Sequence, residues 1–340
     1  MRSSTRRPSA SPNGTIGQRV EAVHQLNEFE IIERYFSAAN GGPDVLIGIG
    51  DDAAVLDIHA PLVVAVDTLT VGVHFPEALP AHALGHRVLA VNLSDFAAMG
   101  ATPKWCTLSL SLPAADPDWL AAFSTGLLDL AAQYGVQLVG GDTVRGPLTV
   151  TLQLLGTVVA EQALKRGDGQ VGDNVYVTGS LGDAAAGLAL MQNEISAPVA
   201  ARDALVQRFC YPSPRVSTGL ALVGLARAAI DISDGLMADL AHVAKQSGCA
   251  AVIELEALPM SQALLDSMGL ERSRELALFG GDDYELCFTA AVENHAAIEA
   301  LAGGAEINLT RVGRLQAGQG VELKLDGRDC AIADRGYRHF

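Results

Sequence analysis

Gly48 to Phe75 has the sequence GIGDDAAVLDIHAPLVVAVDTLTVGVHF, in which short apolar runs end in carboxylates. The run at residues 45–49 leads into Asp52, and the run at residues 62–66 leads into Asp67. Apolar runs of this length, bounded by Gly or Pro, predict buried strands, and a buried strand rarely holds an unpaired Asp in its interior. We therefore expect Asp52 and Asp67 at strand ends, where they face one another or a shared ion.

The same combination of apolar residues and aspartate recurs further along the chain. The later segments are Val91–Asp95, Val139–Asp142, Ile230–Asp234 and Phe279–Asp283. Aspartates gathered in one cleft would repel one another unless cations neutralised them. Mg²⁺ is a hard cation that takes oxygen ligands and bridges substrate phosphates. The residues alone thus predict a multi-site magnesium centre in an enzyme that acts on phosphates.

Each candidate residue also has a simpler explanation. Asp beside Gly commonly forms turns or caps helices, and Asp234, in Ser-Asp-Gly before a helix, is the clearest example. His74 could be a loop histidine packed against Phe75, and Tyr337 an aromatic that docks the C-terminus. Arg145 is a better candidate, because it follows a strand and a Gly-rich segment and could reach a phosphate. The recurrence of the acidic segments favours metal binding over capping.

Composition limits the class of protein. The chain of 340 residues is 49% hydrophobic and 18% charged, so we expect a soluble two-domain protein. The sequence contains no run of 18 apolar residues, so we expect no membrane span. The net charge of -16 disfavours nucleic acid and anionic membranes as partners. The five cysteines are widely separated, with no C-x-x-C pair, which indicates reduced thiols, as in the cytoplasm.

Secondary-structure signals predict an α+β fold with two domains. Residues 1–26 lack the apolar core of a secretory signal, and we expect them to form a disordered tail. Residues 27–160 should form an N-terminal domain with a mixed or antiparallel sheet and flanking helices. Residues 161–340 begin with a charged, Gly-containing segment and again contain strand signals, Gly-rich turns and helix signals. They should form a C-terminal α/β domain.

Several elements carry explicit end signals. Apolar spacing predicts helices over residues 28–39 and 81–99, the second with Asn92 and Asp95 on one face. Asp116 followed by Pro predicts the N-cap of a helix that ends before Gly135.

Two further elements concern candidate site residues directly. A strand at residues 136–139 should open into a Gly-rich loop that carries Asp142. Ser233 and Asp234 are expected to cap a helix over residues 236–246.

Two common nucleotide-binding motifs are excluded. The segment Gly48-x-Gly50-x-x-Ala53 formally matches a dinucleotide fingerprint, but apolar strand residues follow it where the fingerprint requires a helix. No G-x-x-x-x-G-K-[ST] phosphate-binding loop occurs in the chain.

Seven segments together resemble the thiamine-monophosphate kinases, a family with the PurM-like fold of aminoimidazole ribonucleotide synthetase. They are GIGDDAA, VDTLTVGVHF, AVNLSDFAAMGA, LVGGDTVRG, YVTGSLGDAAAGLAL, AIDISDGL and GGDDYELCFT, and the resemblance extends from Asn27 to Phe340. It implies that ATP is the co-substrate and that its γ-phosphoryl group passes directly onto thiamine monophosphate, giving thiamine diphosphate. Several Mg²⁺ ions would lie between the two anions, and such in-line transfer needs no covalent nucleophile.

The resemblance also implies an assembly and a division of labour between the domains. In the related fold, N-terminal sheets pair across a two-fold axis, which hides their edges, so we expect a cytoplasmic homodimer. Residues 27–160 would then form the domain that binds ATP and Mg²⁺ and makes the dimer.

The resemblance assigns roles residue by residue. The residues that match metal ligands are Asp52, Asp67, Asp95, Asp142, Asp231 and Asp234. The residues that match the ATP site are Gly141, Asp142, Arg145 and Ser233. The residues that match contacts to thiamine monophosphate are His74, Asp282 and Tyr337.

The chain departs from the family pattern at two places. Ala65 and Val66 stand where relatives carry Ser-Thr, so only main-chain carbonyls could bind a metal there. Asp282 stands where relatives can have Glu, which is one methylene longer.

Two alternative functions stay open on the sequence. One is another ATP-dependent synthetase of the same fold, such as a selenophosphate or aminoimidazole ribonucleotide synthetase. The first cysteine is Cys106, however, so the N-terminal Cys or selenocysteine of a selenophosphate synthetase is missing. The other is a non-catalytic regulator that binds a nucleotide or a divalent cation, although the presence of Arg145 and His74 beside complete acidic motifs disfavours it.

Overall fold

The computed structural model describes residues 26–37, 42–304 and 308–330. The α-helices of that part are α1 (Glu28–Tyr35), α2 (Ala81–Ala98), α3 (Pro117–Tyr134), α4 (Asp183–Met191), α5 (Val199–Cys210), α6 (Val216–Leu222), α7 (Leu236–Gln246), α8 (Gln262–Phe279) and α9 (His295–Gly304). The strands are β1 (Val45–Ile47), β2 (Val55–Leu56), β3 (Leu62–Thr70), β4 (Thr102–Leu112), β5 (Gln137–Arg145), β6 (Thr149–Thr157), β7 (Asn174–Thr178), β8 (Ala228–Ile232), β9 (Ala250–Glu254), β10 (Glu285–Ala290), β11 (Leu309–Gln316), β12 (Gly320–Leu325) and β13 (Arg328–Cys330). Apart from Leu26, the expected tail lies outside the described residues.

Two sheets carry the α+β fold, which confirms the predicted fold class. The first has four strands in the order β3-β6-β4-β5, antiparallel except for the β4–β5 pair, and is therefore a mixed sheet. The second has the order β13-β12-β9-β11-β7-β10-β8, in which β9 and β12 are parallel and the other described neighbours antiparallel. Strands β1 and β2 form a separate antiparallel pair. None of the helices in the described ranges is long and apolar enough to cross a lipid bilayer.

Helix α2 lies between the two sheets. It is apolar on nearly all sides and buried over most of its length, as expected of a helix without a polar face. One continuous core runs from Leu154 of β6 through Leu89 of α2 to Phe288 of β10. Helix α3 packs closely on α2, because a Cβ added at Gly85 would lie 2.0 Å from the carbonyl oxygen of Phe123. Helix α2 therefore joins the two halves of the molecule.

Helix α3 follows its sequence signals. The carboxylate of Asp116 accepts hydrogen bonds from the backbone N–H of Asp118 at 2.9 Å and of Trp119 at 3.3 Å. Gly135 ends the helix with a left-handed φ of 65°. The predicted helix with Pro in its first turn is confirmed, because both of its ends are set by local chemistry.

Strand β3 differs from the prediction in two ways. It runs past Asp67 to Thr70, so Asp67 lies inside a strand, opposite Leu152 of β6. Its residues alternate between covered and exposed positions, and the side chains of Leu62 and Val64 are 45% and 49% exposed. The expectation of a buried strand that ends at Asp67 is wrong, because β3 is an edge strand covered on only one face.

Strand β5 continues where the sequence predicts a loop. The pairing of β4 with β5 shifts register between Cys106 and Thr107, and Asp142 then pairs with Ser109. A Cβ at Gly141 would lie 1.9 Å from the carbonyl oxygen of Leu108, so only glycine permits this close approach. The Gly-Gly pair therefore allows the strand to continue, and Asp142 lies within it.

Helix α7 begins at Leu236 as predicted, but its cap is different. Its N-cap residue is Gly235, and no N-cap side chain is used. The Oδ2 of Asp239, inside the helix, accepts hydrogen bonds from the backbone N–H groups of Ser233, Asp234 and Gly235, each at 3.1 Å. The expected capping by Ser233 and Asp234 is therefore wrong, since the N-cap is Gly235 and the backbone of Ser233 and Asp234 is instead bound by Asp239.

Candidate active site

A cleft of about 510 Å³, which we call the central cleft, is built from both halves of the chain. Its walls come from β3, the turn after it, α2, α4 and the residues that follow it, the segment after β8 and the segment before β10. The predicted site residues that line it are Asp67, His74, Ser233, Asp234 and Asp282. The remaining wall is largely apolar and includes Val73, Leu188 and Ala189.

Helix α2 presents three residues to this region at helical spacing. Arg87, Val91 and Asp95 stand at positions i, i+4 and i+8, which places them on one face of a helix. Val91 lines the central cleft, and Arg87 and Asp95 contact or influence carboxylates of its wall. The helix thus connects two chemically different parts of the site.

Three carboxylates from three different elements interact beside the central cleft. They are Asp67 of β3, Asp95 of α2 and Asp231 of β8, which we call the acidic trio. Burial, followed by the charges of Asp231 and Asp67, raises the pKa of Asp95 to about 8. Burial is also the main cause that raises the pKa of Asp231 to about 6 and the pKa of Asp67 above its ordinary value. Such mutual repulsion favours the binding of a cation.

Two nearby groups extend the electrostatics of the acidic trio. The charge of Arg166 lowers the pKa of both Asp95 and Asp231, although less than burial raises them. Asp239, beneath Asp234, has its pKa raised to about 7 by burial and by the charges of Asp231 and Asp234. Arg166 was not predicted because it stands in the segment between the predicted domains, although the basic pair Lys165-Arg166 before Gly167 could have suggested an anion contact.

The donors around the acidic trio are suitable for Mg²⁺. Among the described residues, no group of three or more His, Cys, Asp or Glu side chains is arranged so that it could hold a metal ion by itself. Magnesium is usually held by one or two carboxylates, with water and substrate phosphates as its other ligands. Buried Asn92, one turn from Asp95 on α2, donates to the carbonyl of Val88 at 3.1 Å, yet its Oδ1 has no hydrogen-bond partner in the described ranges. An unpaired oxygen beside carboxylates fits a hard cation.

Other predicted residues line a second cavity. Asp52, Gly141 and Asp142 border a space of about 490 Å³ between residues 48–54 and strand β5. Asp52 and Asp67 therefore line different cavities, and the structure does not bring them face to face as expected. The reason is that β3 continues beyond Asp67, while the segment of Asp52 borders the far strand of the same sheet.

The remaining two predicted residues lie elsewhere. Arg145 stands at the end of β5 and borders a third cavity, of about 410 Å³, together with Glu28 and Leu112. Tyr337 lies outside the described residues. The predicted ATP-site residues are thus distributed over three cavities, with Ser233 in the central cleft.

The Asp282 carboxylate is held by a buried arginine that sequence analysis missed. The Nη2 of Arg87 donates to the Oδ1 of Asp282, and the Tyr284 hydroxyl donates to the same oxygen at 3.2 Å. Elsewhere on the wall of the cleft, the Nδ1 of His74 accepts a hydrogen bond from the backbone N–H of Thr70 at 3.1 Å, which fixes the imidazole in the turn after β3. A single Arg within the apolar sequence of α2 was the only local signal for this contact.

Comparison with known proteins agrees with this architecture. Residues 50–158 match the family model for the N-terminal domain of AIR synthase related protein, and residues 170–326 match the model for its C-terminal domain. The thiamine-monophosphate kinase of Escherichia coli (strain K12) is 46% identical over 319 residues, which are 92% of this chain and 98% of that protein.

Two solved structures extend the comparison. The crystal structure of thiamine-monophosphate kinase from Stenotrophomonas maltophilia K279a has a TM-score of 0.83 and 47% identity, covering 90% of this chain and 98% of its own. The structure of AaThiL complexed with AMPPCP and TMP has a TM-score of 0.73 and 32% identity, covering 92% and 97%. On these similarities, which extend over nearly its whole length, the chain belongs to the thiamine-monophosphate kinase family.

Proposed function

We propose that this protein transfers the γ-phosphoryl group of ATP onto thiamine monophosphate and so forms thiamine diphosphate. The observation that carries the proposal is the acidic trio of Asp67, Asp95 and Asp231, placed beside a cleft with an apolar wall in a chain of this family. A relative of the same fold has been solved with AMPPCP and TMP bound, which are an ATP analogue and a monophosphate ligand. Carboxylates and apolar surface together suit a substrate that has a phosphate at one end and an organic ring system at the other.

We infer that several Mg²⁺ ions take part. Asp67, Asp95 and Asp231, with Asp234 on the cleft wall, would hold ions beside the acceptor phosphate, and Asp52 and Asp142 would hold ions in the second cavity. Bound Mg²⁺ would offset the repulsion between two polyanions and neutralise charge that develops on the transferred group.

The residues of the chain would supply binding and orientation. Arg166 and Ser233 are positioned to contact phosphates beside the acidic trio, and Gly141 has the exposed backbone of an edge strand that a nucleotide can approach. His74 and Asp282 would orient the thiamine part, since both lie on the cleft wall. In-line phosphoryl transfer needs this positioning more than it needs a covalent nucleophile.

The other expected residues remain proposals of the same kind. Arg145, at the exposed end of β5, would contact ATP, and Tyr337 would contact thiamine monophosphate. Residues 27–160 would form the domain that binds ATP and makes the dimer, and residues 161–340 the C-terminal domain. The cytoplasm suits the five cysteines, all of which are free thiols in the structure.

We also propose a homodimer. Strand β3 lies at the edge of the four-stranded sheet and exposes Leu62, Val64 and Val66 on one face, Val66 by 60%. A second copy that packs against this face would bury the apolar side chains and cover a sheet edge.

The decisive experiment measures ADP and thiamine diphosphate in the same reaction. We expect ADP formation to depend on thiamine monophosphate and on Mg²⁺, with one thiamine diphosphate formed for each ADP. Equal ATP consumption with and without thiamine monophosphate would contradict the kinase and favour another ATP-dependent synthetase. Binding of ATP without any turnover would favour a regulator.

A further inference from the structure

Arg87 is a buried cation at the centre of the molecule. Its side chain is 1% exposed, and burial of a guanidinium is costly unless its donors are satisfied. The Nη1 group donates to the carbonyl oxygen of Phe209 at 2.5 Å, and the Nη2 group donates to Asp282. The guanidinium lies 4.2 Å from the centre of the Phe209 ring and 5.4 Å from that of Tyr284. These contacts fix its position from several directions.

A buried ion pair of this kind is weak evidence for a role in stability alone. Replacement of such pairs by apolar residues of similar volume is often neutral or stabilising. The Nε of Arg87 is also buried without a hydrogen-bond partner among the described residues, which adds to the cost of burial. The position of the pair at the wall of the central cleft provides another reason for its presence.

The segment that carries Asp282 has an unusual backbone. Asp282 and Tyr284 have left-handed φ values of 70° and 50°, and each such residue costs about 1–3 kcal/mol. Between them, the Asp283 carboxylate accepts hydrogen bonds from the backbone N–H of Gly182 at 2.6 Å and of Ala184 at 3.2 Å. Asp283 thus anchors the segment to the N-terminus of α4, while Asp282 lies at the cleft.

The two carboxylate oxygens of Asp282 have different surroundings. Its Oδ1 accepts from both Arg87 and the Tyr284 hydroxyl. Burial raises the pKa of Tyr284 well above its ordinary value, so the hydroxyl stays protonated and remains a donor. The Oδ2 has no hydrogen-bond partner in the described part of the chain and is not enclosed, so it is the oxygen left open to a ligand.

We propose that Arg87 is a positioning residue, which holds Asp282 in one orientation so that Oδ2 accepts a hydrogen bond from the ring system of the substrate. Because the guanidinium already balances the charge of the carboxylate, the open oxygen is suited to an N–H donor on a heteroaromatic ring, close to the apolar wall of Val73 and Leu188. The inference rests on the proposed function, since it assigns this end of the central cleft to the thiamine part.

The test is a double-mutant cycle of Arg87→Lys and Asp282→Asn. Lysine keeps the charge but lacks the planar fork and the ring stacking, so Asp282 loses its fixed orientation. We expect each single variant to raise the KM for thiamine monophosphate by about 10-fold, the cost of one oriented hydrogen bond to a charged group, without changing the KM for ATP. Because Arg87 acts through Asp282, the double variant should resemble Asp282→Asn rather than show the product of the two effects.

Arg208→Lys is the matched control. Arg208 is a half-buried arginine that donates to Glu285 at 2.7 Å, and it does not line the central cleft. We expect this control to lower the melting temperature and to leave both KM values unchanged. A rise in both KM values together in Arg87→Lys, or an unchanged KM for thiamine monophosphate in Arg87→Lys, would overturn the proposal.

Calorimetric binding of thiamine monophosphate separates this inference from the proposed function. Wild-type protein that binds thiamine monophosphate without turning over ATP would contradict the proposed function alone. The affinity of folded Arg87→Lys would then test Arg87, with a loss of about 10-fold expected and wild-type affinity as the contrary result. Should Arg87→Lys fail to fold, Arg87→Gln, which keeps an N–H donor without the charge, replaces it in the same measurement with the same expected and contrary results.

Discussion

The Oδ2 of Asp239 lies 3.1 Å from the backbone nitrogen of Asp234, so a carboxylate from the first turn of helix α7 holds the backbone that leads into the helix. This contact leaves the Asp234 side chain available to the central cleft, which it lines. We therefore expect the two aspartates to have separable roles, Asp239 in the stability of the fold and Asp234 in the proposed metal binding.

Replacement of Asp234 should change the Mg²⁺ dependence of turnover, and replacement of Asp239 should change the stability of the fold. Asp234→Asn is expected to melt within a few degrees of wild type and to need more Mg²⁺ for half-maximal turnover. Asp239→Ala removes the acceptor of three backbone N–H groups, of which that of Gly235 is buried, and should lower the free energy of unfolding by about 1–3 kcal/mol. Denaturant unfolding and Mg²⁺ titrations measure the two effects. Strong destabilisation by Asp234→Asn would show that its side chain supports the fold.

Asp142→Asn tests metal binding in the second cavity. The Asp142 side chain is exposed on an edge strand and makes no hydrogen bond to the described residues, so the change should not affect folding. If Asp142 holds Mg²⁺ that contacts ATP, turnover should fall by about 100-fold, with partial rescue by excess Mg²⁺ or by Mn²⁺. A melt without metal is the folding control. Turnover near that of wild type would assign Asp142 a purely structural role.

Asp95→Asn should stabilise the protein and inactivate it. Burial and the charges of Asp231 and Asp67 raise the pKa of Asp95 to about 8, which indicates that its carboxylate is destabilised where it stands. Asparagine removes the like charge, so we expect a higher melting temperature without Mg²⁺ and a turnover lower by about 100-fold. The stabilisation by Mg²⁺ with an ATP analogue should also diminish. A lower melting temperature would mean that the acidic trio contributes to stability.

His86 should make the fold sensitive to acid. Burial lowers the pKa of His86, whose Nε2 lies 2.9 Å from the carbonyl oxygen of Pro212 on the next segment. The unfolded chain binds a proton at His86 below about pH 6.5 and the folded chain resists it, so the contribution of His86 to stability is fully present above that pH and is lost as the pH falls through it. Melting curves from pH 8 to about 5 should show a smaller decline in His86→Gln. Parallel declines in both proteins would remove His86 as a cause.

Val64→Glu tests the dimer. Val64 lies on the exposed apolar face of β3, and a carboxylate there should prevent a second copy from packing against it. By light scattering we expect wild type at twice the 35.4 kDa of one chain and the variant at 35.4 kDa. Val199→Glu is the control, since Val199 is 76% exposed at the start of α5 on another part of the surface. A wild-type protein of single-chain mass would contradict the dimer.

The elements that sequence analysis predicted correctly are those with local causes. Asp116 and Gly135 set the ends of α3, and both act within a few residues of where they stand. Helices α5, α8 and α9 were not predicted. Helix α8 is kinked at Gly269, whose φ of 69° is non-helical, so its residues do not follow one continuous helical pattern. The exposure of β3 and the continuation of β5 depend on which strands pair, and no short segment contains that information.

In the candidate site, too, features with local sequence signals were predicted and contacts between distant residues were not. Aspartates next to strands were found by pattern, and the structure brings Asp67, Asp95 and Asp231 close enough for their charges to interact. Arg87 was missed because its partner Asp282 is 195 positions away in the chain. The contacts of Asp239 were not predicted, because Ser233 and Asp234 stand directly before the helix and were expected to cap it. In the structure, the Asp239 carboxylate accepts hydrogen bonds from the backbone N–H groups of both residues.

Because Arg87 and Asp95 belong to the same helix, the proposed binding mode implies that α2 fixes the distance between the groups that bind the two ends of the substrate. They are eight residues apart, which corresponds to about 12 Å along the helix axis at 1.5 Å per residue. That spacing cannot change when the two sheets move relative to one another, because both residues are carried by one rigid element. A compound whose ring system and phosphate are joined by a linker one methylene longer or shorter would therefore place its phosphate out of line with the acidic trio, even if the ring end bound normally.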